Sequence, residues 1–268
     1  MAATKVVYST KVGPQRPVGM NLGPGAVVVA QGIYEESITK QARLGERLQV
    51  GDRIFRYAQA GAAALNPGKL VQQAVVGGAT TTLQTTRPVA VAATLGDTRI
   101  YTTALTTEQA ADLFADGWVS IFDASMTLGC YLYRIKGNSV LATSGVASYL
   151  TLYDGLHVAL TTSDQLEIIA NPYKGVIINS SATTLTGAIL GVAPIYVTAS
   201  YYFWLQTFGP CAVVADAALD FDEYVSVSDT TVGCVESDSA GANTNVLGIP
   251  LAAGTAAESS IMFLHING

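Results

Sequence analysis

Apolar and polar residues alternate over short distances along most of the chain. The apolar stretches are rich in Val, Ile, Tyr, Thr and Phe, and clusters of Gly, Asn, Asp and Ser separate them, which is the pattern of β-strands joined by turns. We therefore predict an all-β protein, mainly antiparallel, built as small β-barrel or β-sandwich units. The predicted strands are Arg53–Ala60, Lys69–Val76, Thr98–Thr103, Trp118–Asp123, Tyr131–Lys136, Tyr149–Tyr153, Leu166–Ala170, Val176–Asn179, Ile195–Ala199, Tyr202–Phe208, Tyr224–Ser228 and Ile261–Ile266.

Two of these strands carry a further prediction about burial. Tyr224–Ser228 alternates with a period of two, which predicts one packed face and one face in solvent. Ile261–Ile266 is mostly apolar on both faces, so we expect this strand to lie centrally in a sheet.

Helix signals are few. Thr107–Ala115 has a capping-box pair at Thr106 and Gln109, and a second candidate, Glu36–Leu44, ends at Gly45. Both candidates are short, so we expect one or two short helices beside the sheets.

The first 25 residues contain seven Gly and Pro residues, a density that prevents regular structure. An extended arm that lies on a neighbouring molecule and a frayed terminus are both consistent with this composition. Together with the strand pattern, the arm divides the chain into three predicted segments. These are 1–95 (the arm and a first β unit), 96–195 (a middle β unit) and 196–268 (an acidic C-terminal β unit).

Charge is scarce and unevenly distributed. Charged residues make up 13% of the chain, against roughly 25% in an average globular protein, and the mean hydropathy is +0.36. Residues 1–57 hold eight of the fourteen Lys and Arg, whereas residues 175–268 hold none and carry eight acids. This polarity favours a subunit that docks on its neighbours in one orientation. The alternative is a monomer whose Ala and Gly raise the hydropathy.

Composition also limits which partners and which cellular location the sequence predicts. The pI of 4.8 argues against nucleic acid as a partner, and no apolar run approaches the ~18–20 residues of a membrane-spanning helix. The start of the chain has no apolar signal segment, so we expect a cytoplasmic product. Cys130, Cys211 and Cys234 lack metal-site spacing, and we expect buried free thiols.

We find no catalytic constellation in the sequence. The two histidines, His157 and His265, have no nucleophile motif beside them, and no phosphate-binding loop is present. Asp220 and Asp222 would share a strand face, which allows a calcium site, but a solvated acidic turn is the favoured interpretation. We therefore predict a protein that is not an enzyme and has no cofactor or metal.

Aromatic and basic residues supply the candidate contacts. Tyr201–Trp204 is a run of four aromatic residues, so on a strand two side chains point each way. One pair fills the core, and the other pair either packs internally or forms part of an interface, where Tyr and Trp are favoured. The candidate interface residues are Lys5, Lys11, Arg16, Arg53, Arg56, Tyr201, Phe203 and Trp204.

Several stretches resemble those of a known family. The run Tyr202–Asp216, followed by an acidic β unit and the closing strand Ile261–Ile266, resembles the C-terminal unit of head decoration (capsid cement) proteins of tailed bacteriophages. Shorter stretches that are similar to phage structural proteins of this kind are Gly51–Ala58, Leu65–Leu70, Asp116–Val119 and Tyr133–Asn138.

The resemblance implies a β-rich subunit on the outside of the virion. Such proteins typically form homotrimers and clamp neighbouring major capsid protein subunits. The implied partners are the major capsid protein, copies of the same chain and neighbouring decoration subunits, with no nucleic acid and no membrane. The alternatives are another virion component (a head fibre base, a tail or a shell subunit) and a carbohydrate-binding β module in which Trp118, Trp204 and the tyrosines stack on sugars.

Overall fold

The computed structural model describes residues 31–75, 83–105, 107–123, 129–144, 148–180, 184–238, 246–253 and 258–266. Within these residues the protein is all-β and every pair of strands is antiparallel, which confirms the predicted fold class. The predicted arm, with Lys5, Lys11 and Arg16, lies outside the described residues. The strands are β1 (Arg47–Val50), β2 (Arg53–Gln59), β3 (Leu70–Gln72), β4 (Leu83–Pro88), β5 (Arg99–Thr102), β6 (Trp118–Phe122), β7 (Tyr131–Asn138), β8 (Ser148–Leu152), β9 (Gln165–Ile169), β10 (Ile177–Ile178), β11 (Ile189–Val192), β12 (Tyr202–Val214), β13 (Val225–Val227), β14 (Val235–Ser237), β15 (Val246–Pro250) and β16 (Ser259–His265).

The described residues pack into two compact units. The first unit combines the chain up to Gln72 with the chain from Gly175 onward, and the second unit is the intervening stretch Gln73–Lys174. The second unit is therefore an insertion in the first, between β3 and β10. These limits differ from the three consecutive segments predicted above, because β2 and β3 pair with strands from the last third of the chain.

The inserted unit is a single sheet with the strand order β4-β9-β6-β7-β8-β5. A bridge between Val89 and Thr102 joins the two outermost strands, so the sheet closes on itself at that end as a small barrel. Alternate side chains along each strand point inward, and Ile121, Ile135 and Leu150 are completely buried there. The inward residues form one continuous apolar core.

The first unit is built around β12, which is thirteen residues long. Its sheet has the order β10-β3-β11-β12-β16-β15-β13-β14, and β2, with β1 beside it, also pairs with β12. Strand β2 pairs with β12 up to Phe208, and β16 pairs with β12 from Phe208 to Val214. The apolar core under β12, β15 and β16 includes Val213, Leu247 and Leu264.

Strand β16 lies between β12 and β15, so the predicted central position of Ile261–Ile266 is confirmed. The predicted strand Ile195–Ala199 contributes only a single bridge, between Val197 and Leu65. Strands β1, β4, β11, β14 and β15 were not predicted, because they are short or carry polar and Gly residues that weaken the strand pattern.

No α-helix occurs among the residues that the structure describes, so the two predicted short helices are wrong. Residues 107–116 form bridges and turns instead. Asp112 and Asp116 have φ angles of 57° and 63°, and the Asp112 amide donates to the carbonyl of Asn138 rather than along a helix. The proposed cap Thr106 lies outside the described residues. In Glu36–Leu44, the Ser37 amide donates to the Tyr202 carbonyl and the Tyr202 amide donates to the Ser37 carbonyl. The backbone of Ser37 is thus paired as in a β-bridge and not as in a helix.

The wet face predicted for Tyr224–Ser228 is only partly present. Tyr224 is exposed, but Ser226 and Ser228 are completely buried. Ser226 lies between Glu236 of β14 and Val246 of β15, and the Ser228 hydroxyl donates to the Asp216 carboxylate. Small hydroxyl side chains are tolerated inside the sheet because their hydrogen bonds are satisfied.

The three cysteines are free, as predicted, but they are not all buried. Cys211 and Cys234 are buried, whereas Cys130 is exposed. Burial raises the pKa of the Cys211 thiol to about 12, and the positive charge of Arg53 only partly opposes this effect.

Candidate interaction surface

Strands β12 and β16 carry apolar side chains on both faces over the length where they pair. One face covers the core of the first unit, and the other face points away from it. Side chains alternate between the two faces along a strand, and directly paired residues of neighbouring strands lie on the same face. The register therefore identifies the residues whose side chains point outward. We call this set the outer apolar face, and its residues are Phe208, Pro210, Ala212, Ile249, Ile261, Phe263 and His265.

Three aromatic rings at one end of the outer apolar face pack against one another. The Phe208 and Phe263 rings meet edge to face, with centroids 5.3 Å apart. The His265 ring stacks on Phe208 at 5.6 Å and meets the edge of Phe263 at 4.9 Å. Such mutual packing holds the rings in place, so the surface is ordered before any partner arrives.

The opposite end of the face is open. Ile261 is 49% exposed and Ile249 is 41% exposed, and Ala212 is exposed beside them. Val246 begins β15 and Leu251 directly follows it, and these residues, 48% and 45% exposed, extend the apolar area. Exposed aliphatic side chains that adjoin one another in this way form a candidate contact site.

The dimensions of the face follow from strand geometry. Strand β16 has seven residues, and at ~3.4 Å per residue it is about 24 Å long. Three strands at a spacing of ~4.8 Å give a width of about 10 Å between the outer strand axes. The projected area of about 250 Å² approaches the ~300–600 Å² of the largest apolar patch on a typical monomer. None of its seven residues is Lys, Arg, Asp or Glu.

Two predicted interface residues, Arg53 and Arg56, lie on β2 and are engaged within the protomer. The Arg53 guanidinium donates to the Tyr34 hydroxyl at 2.9 Å and lies 5.5 Å from the centre of the Phe55 ring. The Arg56 guanidinium donates to the carbonyl of Gly45 at 3.2 Å. Both side chains are half-buried, so any contact they make with a partner adds to these internal interactions.

The aromatic run is largely internal. Phe203 is completely buried, Trp204 is 7% exposed, and Tyr201 is half-buried. The indole Nε1 of Trp204 donates to the carbonyl of Gln31 at 2.9 Å, and its ring meets the edge of Tyr57 at 4.9 Å. Phe203 and Trp204 are therefore core residues of the folded protomer rather than interface residues.

The burial of Trp204 also bears on the carbohydrate alternative. Of the two tryptophans proposed for sugar stacking, Trp204 is too deeply buried to stack on a sugar in the folded protomer, since it is only 7% exposed. Trp118 is half-buried on β6, and the Arg134 guanidinium lies 5.7 Å from its ring centre.

The acidic residues are placed in two groups. Asp220 and Asp222 are exposed at a turn, in keeping with the solvated interpretation. The second group, which sequence reasoning missed, consists of Asp216, Asp229 and Glu236. Burial raises the pKa of Glu236, and the charges of Asp229 and Asp216 raise it further, against hydrogen bonds from the Asp229 amide and Ser228. These residues are distant in sequence, and a bridge between Ala215 and Val235 brings Asp216 towards Glu236.

The histidines lie in different units. His265 belongs to the outer apolar face, and His157 is exposed in the inserted unit, stacked on Tyr133 at 6.1 Å. In the described part of the chain, no three or more His, Cys, Asp or Glu side chains are grouped so that they could hold a metal ion. Across the same residues, the structure contains no helix with the length and apolarity needed to cross a membrane.

Comparison of the chain with protein-family models, with curated proteins and with solved structures gave no match.

Proposed function

We propose that this chain is a non-enzymatic structural protein that works by binding and joining other protein subunits. The observation that carries the proposal is the outer apolar face, an ordered and uncharged sheet surface with exposed Ile249 and Ile261. Burying about 250 Å² of apolar surface contributes about 6 kcal/mol at ~25 cal/mol per Å², before the costs of association are deducted. A surface of this kind supports binding to another protein.

The particular setting we propose is the exterior of a tailed-bacteriophage capsid. The support is the resemblance of the stretches around β12 and β16 to head decoration proteins, together with the low charge and the charge polarity of the chain. In this setting the chain forms homotrimers and binds the major capsid protein and neighbouring decoration subunits. It bridges joints between shell subunits that carry the load of the packed genome.

Many weak bridges act together on one shell. Each subunit covers a joint between capsid proteins, and the gain per joint is multiplied over a shell with many equivalent joints. The N-terminal segment, with Lys5, Lys11 and Arg16 and no acidic residue before position 31, is the proposed second contact. It would bind an acidic neighbour, either the capsid or an adjacent decoration subunit.

The test is the occupancy of expanded shells made from the major capsid protein of the virus that encodes this chain. We expect saturable binding of the full chain, lower occupancy after deletion of residues 1–20, and lower occupancy of the Ile261→Asp variant. Leu132→Asp is the matched control, because Leu132 is an outward strand residue that is 62% exposed on the inserted unit. Absence of binding by the full chain at any concentration would contradict the capsid proposal.

A further inference from the structure

We propose that the outer apolar face is covered by a second copy of this chain. This inference rests on the proposed function, in which the face binds protein, and it names the partner at that face. Other exposed apolar residues, such as Leu95 and Phe221, lie outside this paired array of strands. Three properties of the outer apolar face favour a second copy as its partner: its lack of charge, its shape and its area.

Charge is the first argument. The chain has a formal net charge of −6, so two copies repel each other at long range. Contact between like-charged chains costs least where neither surface carries a charge. The outer apolar face has no Lys, Arg, Asp or Glu, and His265 is its one titratable residue, although the same unit carries eight acids from Gly175 onward. An unlike partner would instead be selected by complementary charge, which this face does not display.

Shape is the second argument. A sheet face is a regular surface that can pack on an identical sheet face at a distance of about 10 Å, with the side chains interdigitating. Copies of the same patch can converge on a symmetry axis, as in the proposed homotrimer, so one set of residues serves every contact around that axis. The aliphatic Ile261 and Ile249 and the ordered Phe263 ring are suited to such a dry centre.

Area is the third argument. A stable contact buries about 800 Å² on each partner. The outer apolar face supplies about 250 Å² in projection, which is the size of a central patch rather than of a whole interface. Homo-oligomer interfaces are the class with the most apolar centres, surrounded by a polar rim. The exposed Val246 and Leu251 adjoin the face and enlarge its apolar centre.

The experiment is sedimentation equilibrium of the purified full chain, without capsid protein, over a range of concentrations. We expect the unmodified chain to form a discrete oligomer. Ile261→Asp on β16 and Ala212→Asp on β12 should each weaken association by about 100-fold or more, since each places a charge in the dry centre. Leu132→Asp should associate like the unmodified chain. Circular dichroism and unfolding midpoints at low concentration show that each variant remains folded.

The outcomes separate this inference from the proposed function. A monomer at ~100 μM, a concentration at which functional self-association is normally visible, would overturn the inference. So would folded Ile261→Asp and Ala212→Asp variants that associate normally. If the chain is a monomer but Ile261→Asp loses shell binding, the face binds a different protein. The proposed joining function then survives without this inference and without the homotrimer. If copies associate through the face but never bind shells, the inference stands and the capsid proposal fails.

Discussion

At the residue scale, single positions decide where the strands can change partners. Gly209 lies where β12 passes from its pairing with β2 to its pairing with β16, and it has a φ of 88°. A Cβ at this position would overlap the carbonyl oxygen of Asp52. Glycine is therefore required here for two independent reasons, the backbone angle and the lack of space.

We predict that Gly209→Ala lowers the free energy of unfolding by about 3 kcal/mol or more. The positive φ costs about 1–2 kcal/mol, and the overlap with Asp52 adds a steric cost. Gly51→Ala is the control, because Gly51 has a φ of 62° but no heavy atom lies within 4 Å of the place that an added Cβ would take. It should cost only the about 1–2 kcal/mol of the positive φ. Denaturant unfolding measures the free energy of unfolding of both variants. Equal decreases in the two variants would show that the overlap with Asp52 contributes nothing.

The aromatic run Tyr201–Trp204 shows that the identity of residues does not decide whether they lie in the core or at the surface. From the sequence, Tyr201–Trp204 allowed either a core or an interface, because a strand exposes its two faces alternately. In the structure, both faces of this part of β12 are covered, with Gln31 and Tyr57 packed against Trp204. The interface potential lies further along the same strand, at Phe208 to Ala212, where Ala212 is exposed and the outward Phe208 and Pro210 are half-buried.

At the element scale, strand β14 brings an acidic side chain into a partly desolvated position. The pKa of Glu236 is raised, first by burial and then by the charges of Asp229 and Asp216. A carboxyl whose pKa is raised by folding favours the folded state only while it is protonated. This contribution is complete below the ordinary pKa of Glu and is lost as the pH rises through the raised value.

We therefore predict that Glu236→Gln stabilises the protein at about pH 7 and that this advantage disappears at about pH 4. The amide keeps an acceptor for the Asp229 N–H and removes the charge. The gain should be below about 1 kcal/mol, because the side chain is partly exposed and solvent screens the charges. Thermal unfolding at the two pH values measures it. Asp222→Asn, which removes an exposed charge from the same unit, is the control, and an equal gain there would contradict the prediction.

The turn at residues 107–116 shows the limit of element prediction. Helix signals in Thr107–Ala115 were local, whereas the observed conformation is set by partners from elsewhere in the inserted unit. The Asn138 side chain accepts from the Phe114 amide at 2.8 Å, and the Asn138 carbonyl accepts from Asp112. These bonds satisfy the backbone without a helix, so a short and marginal helix loses the competition.

At the scale of the whole molecule, the chain leaves and re-enters the first unit at adjacent positions. Gln72 at the end of β3 pairs directly with Ile177 at the start of β10, so their Cα atoms lie about 5 Å apart. The inserted stretch Gln73–Lys174 has its own sheet and its own core. It meets the conditions for a segment that folds without the rest of the chain.

We predict that residues 73–174 expressed alone form a folded β domain with a cooperative thermal transition. The physical reason is that all the partners of β4 to β9 lie within this stretch. Circular dichroism and proton NMR dispersion measure the outcome. Ile121→Asp in the isolated segment is the control and should abolish the transition, because Ile121 is completely buried. An unfolded segment would show that the insertion depends on the first unit.

The sequence by itself determined the fold class, the absence of long helical patterns, and the central position of Ile261–Ile266, because strand periodicity and turn residues act locally. It also determined the charge polarity, which is one support for the proposed subunit role. Tertiary structure alone decided the inserted unit, the grouping of Asp216 with Glu236, and which side of β12 and β16 remains open. These features depend on pairings between distant segments, such as β2 with β12, and a local pattern contains no information about its partner.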